Sequence, residues 1–80
     1  MNVGMLWYDN DPHTALTMKV NRAVDYYWQK YGCNPDTCLV HPSMFGEGPD
    51  LVDRREGKII IRLNRSVLPG HLWIGVEDKN

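Results

Sequence analysis

Both cysteines of the chain and one of its three histidines fall inside the stretch YGCNPDTCLVHP, residues 31–42. Cys33, Cys38 and His41 spell C-x4-C-x2-H, residue types that hold zinc through thiolate and imidazole. A structural zinc needs four tetrahedral ligands, usually two tight pairs brought together. The second pair is missing, because His13 and His71 stand alone and far apart in sequence. If residues 38–42 form a strand, Cys38 and His41 are three apart and point to opposite faces. The pattern therefore favours small packed thiols over a metal. A Cys33–Cys38 disulfide stays sterically open at a helix-to-strand corner. It needs an oxidising compartment, and the redox spacing C-x-x-C is absent.

Other chemistry is equally sparse. In DNDP, Asp9 and Asp11 offer two carboxylates to a hard cation, which would need further oxygen ligands and usually a phosphate substrate. Helix capping by Asp11, and attraction of Asp9 to the positive end of the helix dipole, account for the same residues. His13 and His71 are the candidates for acid–base work, but nothing in the sequence brings them together. Ser43 and Ser66 lack a nucleophile-elbow motif, and FGEGPD does not run from strand into helix as a phosphate loop must. No catalytic residue is assigned, and no cofactor is expected.

Two surface features are more informative. Arg54, Arg55, Lys58, Arg62 and Arg65 form the densest basic segment of the chain, a possible backbone track for nucleic acid with aromatic groups as stacking platform. Against it stands the whole-chain balance: Lys and Arg number 9, Asp and Glu 10, for a net charge of -1. Nucleic-acid binders usually carry a basic excess. The second feature is Trp73, which by strand parity shares a face with Ile60 and Arg62. Trp and Arg are enriched at interface hot spots.

The elements that must position these residues are legible in the patterning. Leu16, Val20, Ala23, Val24, Tyr27 and Tyr31 draw one apolar stripe at helical spacing. Asp11 as N-cap and Pro12 in the first turn set the start, while Gly32 and Pro35 set the stop, so a helix is expected over about 12–31. NVGMLWYD reads as a first strand with Val3, Met5 and Trp7 on one side, and forms a parallel unit with CLVHP through the helix. KIIIRL and HLWIGVE read as an antiparallel pair, with Ile59, Ile61 and Leu63 beside Leu72, Ile74 and Val76 in the core. Residues 43–57 make a long loop rich in Gly, Pro and charge, in which Leu51 and Val52 can pair with the following strand. The competing expectation for the Trp73 face is that this loop, carrying Met44 and Phe45, folds back over it.

The expectation is an α+β two-layer sandwich, β-α-β-β-β along the chain, with one helix on a mixed sheet of three or four strands. Eighty residues make one domain, near the lower size limit for a self-sufficient core. No apolar run approaches the roughly 18 residues of a membrane span, and the start lacks the features of a signal peptide, so the default compartment is the cytoplasm. LWYDNDP, YGCNPDTCLVHP and LPGHLWIGVE together resemble short bacterial and phage-associated proteins with no assigned activity. That resemblance implies a regulatory role or a tie to mobile elements, and carries no catalytic residues over. The expected role is a non-enzymatic interaction module, a homodimer joined through the sheet face opposite the helix at Ile60, Arg62 and Trp73. A nucleic-acid-binding regulator is the alternative, and a metal-dependent enzyme using Asp9, Asp11 or His71 comes last.

Overall fold

The computed structural model describes residues 3–46 and 48–77. Its elements in chain order are β1 (Val3–Tyr8), α1 (Leu16–Tyr31), β2 (Thr37–Val40), a 3-10 turn (Pro42–Met44), β3 (Leu51–Arg54), β4 (Gly57–Leu63) and β5 (His71–Val76). One helix lies on one mixed sheet, so the α+β class holds. The sheet has five strands rather than three or four, in the order β1-β5-β2-β4-β3.

The extra strand comes from the expected loop. Leu51 and Val52 do pair with the next strand, Leu51 opposite Ile60 and Val52 opposite Ile59, in a hairpin turning at Arg55 and Glu56. Only part of 43–57 is therefore loop, and Glu47 lies outside the described residues.

A larger correction concerns neighbours. β4 and β5 do not pair with each other; β2 runs between them, parallel to β4 and antiparallel to β5. β1 and β2 share a direction, as a helix crossover requires, but β5 is inserted between them and is antiparallel to both. The result is a split β-α-β unit. The physical reason lies in β5, whose Leu72 and Ile74 are fully buried and which needs a partner strand on each side. Because strand alternation reports faces and not neighbours, the core faces were still read correctly for Ile59, Ile61, Leu72 and Ile74. Leu63 and Val76 are the exceptions: Leu63 is 53% exposed at the end of β4, and Val76, half-buried at the end of β5, lies outside the core cluster. Met5 and Trp7 pack against the core as expected, while the side chain of Val3 is outside the described ones.

The helix buries Val20, Ala23, Val24 and Tyr27 on the sheet; Leu16 is half-buried and Tyr31 exposed at the two ends of the stripe. Its stop is as expected. Gly32 adopts φ 70°, a left-handed conformation cheap only for glycine, and its N–H closes the last turn on Trp28 O at 2.8 Å. Its start is not. The helix begins at Leu16 after Ala15, which has no side chain able to cap. Asp11 instead closes the turn ahead, accepting from His13 N at 2.9 Å and Thr14 Oγ1 at 2.8 Å.

Candidate functional site

The helix covers one face of the sheet, and the segment after β2 folds to that same side. Met44 and Phe45 pack against the core cluster, and Gly70 N–H approaches Met44 Sδ at 3.3 Å. Among the described residues no element crosses the opposite face. Strand register lays that face out in rows. Leu6, Trp73, Leu39 and Arg62 run side by side across β1, β5, β2 and β4. Next to them run Gly4, Gly75, Thr37, Ile60 and Leu51, one from every strand. Tyr8 and His71 complete the apolar end, their ring centroids 4.9 Å apart. Leu6 is 65% exposed, Tyr8 60%, Ile60 43% and Leu51 40%. Single exposed apolar residues need no explanation, but a connected set on one flat surface does.

Trp73 lies flat along this face instead of standing out from it. Its indole runs across Gly4 so closely that a Cβ built there would collide with the ring carbons. Glycine in a strand often marks such a close approach. The ring therefore shields the β1 backbone and leaves one flat aromatic surface at the centre of the row. Charges on the face are balanced. Arg62 Nη1 sits 3.3 Å from Glu77 Oε1, and Lys58 stands opposite Asp53 in the hairpin register.

The expected interface residues Ile60, Arg62 and Trp73 are thus on one face, with Leu39 filling the gap between Trp73 and Arg62. The sequence reading missed Leu6, Tyr8, Leu39 and Leu51. Their signal was the parity of residues 3–8, since Met5 and Trp7 inward leave Leu6 and Tyr8 outward.

The basic set, by contrast, is divided. Lys58 and Arg62 are on the open face, Arg55 is in the hairpin turn and Arg65 in the turn before β5. Arg54 is on the helix side, two residues on from buried Val52. Its guanidinium donates to Asn21 Oδ1 and to Asp25 Oδ1, both at 2.6 Å, and its Nε lies 3.6 Å from Glu56 Oε2. It fastens the β3–β4 hairpin to the helix. The shallow groove between them, about 440 Å³, is lined by Asp25, Trp28, Gln29, Asn34, Arg54 and Glu56.

The possible metal ligands do not assemble. Cys33 is exposed and Cys38 buried, both as free thiols, so they are not bonded to each other. Burial pushes the Cys38 thiol up to about 12, which keeps it protonated and unavailable to metal or electrophile. His41 is taken up locally: its Nδ1 accepts from Ser43 N at 3.1 Å and meets Ser43 Oγ at 2.8 Å, capping the 3-10 turn. Asp9 is claimed by cations of the chain itself. Buried Lys19 donates from Nζ to Asp9 O at 3.0 Å, with Asp9 Oδ1 at 3.9 Å, and Arg22 Nη1 lies 3.8 Å from Oδ2. The bonds from His13 N and Thr14 hold the Asp11 carboxyl below its ordinary value. Among the described residues, no group of three or more His, Cys, Asp and Glu side chains could hold a metal ion. His13 is exposed, and His71 packs at a tilt against the Tyr8 ring, so the two histidines serve no common centre.

No helix among the described residues is long and apolar enough to cross a membrane. No protein-family model, curated protein or solved structure matches the chain.

Proposed function

We propose that the protein is a non-enzymatic module that associates with a second copy of itself through the open face of its sheet. The observation that carries this reading is the connected surface of Leu6, Trp73, Leu39, Ile60 and Leu51, uncovered among the described residues, with Met44 and Phe45 folded to the helix side. A sheet is apolar on both faces only when both are packed. The choice of a second copy as occupant follows from charge. Arg62 with Glu77, and Lys58 with Asp53, give the rim both signs, so two such faces meet without net repulsion. A nucleic-acid strand would want a positive surface, and the division of the five arginines and lysines withholds one.

Sedimentation equilibrium on the full chain tests this. Ile60→Asp, on an exposed position, should leave the far-UV helical signal unchanged and lower the oligomer mass. Trp73→Ala is the poorer probe, because the indole also packs on Gly4. A monomer before mutation, or an unchanged mass afterwards, overturns the reading. Salt-dependent anisotropy of a labelled single-stranded oligonucleotide, lost in an Arg62→Ala, Lys58→Ala double variant, would replace it with nucleic-acid binding.

A further inference from the structure

The two edges of the sheet are built differently. β3, at one edge, is four residues long, carries Asp53 and Arg54, and turns through Arg55 and Glu56. Short, charged edges resist pairing with another chain. β1, at the other edge, is six residues long and has neither a charge nor a proline. Among the described residues no strand pairs with its outer side. An uncharged strand can lie antiparallel to its own copy without opposing like charges.

Size supplies the second argument. A face of five strands with the usual spacing is about 19 Å wide and about 20 Å long, so two such faces cover roughly 800 Å² in total. Stable interfaces bury about 1,200 to 2,000 Å². Joining two sheets at β1 makes ten strands and doubles the common face, which brings a face-to-face pair to about 1,700 Å².

We infer that the β1 edge is a second self-association site: two copies pair through β1, and two of the resulting ten-stranded sheets pack face to face into a tetramer. This rests on the self-association of the open face proposed above. In an antiparallel pair, opposite residues share a face, so the axis passes between two copies of one residue. Centred on Leu6, the register sets Leu6 against its copy, Met5 against Trp7, and Gly4 against Tyr8. Tyr8 of one copy then meets the indole of Trp73 lying across Gly4 of the other, and the apolar row continues over the seam.

Native mass spectrometry together with hydrogen exchange at two protein concentrations tests the edge apart from the face. The full chain should be a tetramer. Ile60→Asp, far from β1, should give a dimer in which exchange of amides 4–8 slows as concentration rises. Leu6→Arg, which opposes two like charges across the seam and also places a charge on the open face, should give a monomer without that slowing. If Ile60→Asp is a monomer, or β1 exchange ignores concentration, the edge contact is wrong, and a full-chain dimer would leave the face contact alone. A dimer unaffected by Ile60→Asp, with β1 protected, supports the edge and removes the face. A monomeric full chain removes both.

Discussion

Gly4 and Cys38 show how single residues set limits that their sequence context conceals. Gly4 disfavours a strand by propensity, yet the structure uses its missing side chain as the floor for Trp73. Gly4→Ala should cost about 1 to 3 kcal/mol by forcing the ring off its seat. Thermal unfolding should show the lower Tm, and Trp emission should shift to the red as the ring gains water. Cys38 drew attention as a ligand, but it is a core thiol. Native chain treated with iodoacetamide near pH 8 should take one label, at Cys33, and a second only after unfolding. The sign of the pH effect follows from the raised value. The neutral buried thiol contributes its stability fully below its ordinary 9.0, and that contribution is lost as the pH rises toward about 12. Burial also raises the Tyr27 hydroxyl above its ordinary 10.0, with the neighbouring Cys33 adding to the shift, so this group acts in the same direction. Urea midpoints should be flat near neutrality and fall above pH 9.0, with a shallower fall in Cys38→Ala. The cysteines were visible in the sequence; whether they met was not, because that depends on which side of a turn each backbone leaves.

At the scale of elements, legibility followed locality. The helix stripe and the Gly32 stop are written in neighbouring residues and are found where the spacing put them. The start was misplaced because Asp11 is an equally good closer of an isolated turn, and in the folded chain it does that. α1 is left with Ala15 at its cap position, in the extended conformation a capping residue adopts (φ -63°, ψ 148°). Ala15→Ser should therefore stabilise the protein by about 1 kcal/mol, or about 4 to 8 °C in Tm for a domain of this size, measured by circular dichroism melting. Lys19 belongs to this scale as well. It sits beside Val20 on the buried stripe, at a position a lysine occupies only with a partner, and Asp9 is that partner. The stripe spacing of 16, 19, 20 and 23 held the clue. Arg54 gave none, since its side depended on a strand that Leu51 and Val52 only hinted at.

For the whole molecule, alternation along each strand disclosed two faces, and the apolar stripe of residues 16–31 disclosed one helix to cover them. Strand order stayed hidden, because hydrophobic spacing is the same whichever strand lies alongside. The order matters for the surface proposed to be functional, since it sets Leu39 of β2 between Trp73 and Arg62 and brings β1 to the edge. It has a further consequence for connectivity. Val3 stands opposite Val76 at the paired ends of β1 and β5. A short linker between these positions would make the two strands a hairpin, and the chain could be reopened in the exposed segment 32–34, between α1 and β2. Such a circular permutant keeps every strand in its place but turns the most distant pairing in the sheet into a local one. Stopped-flow refolding of the permutant should be faster than that of the parent, with the equilibrium urea midpoint little changed.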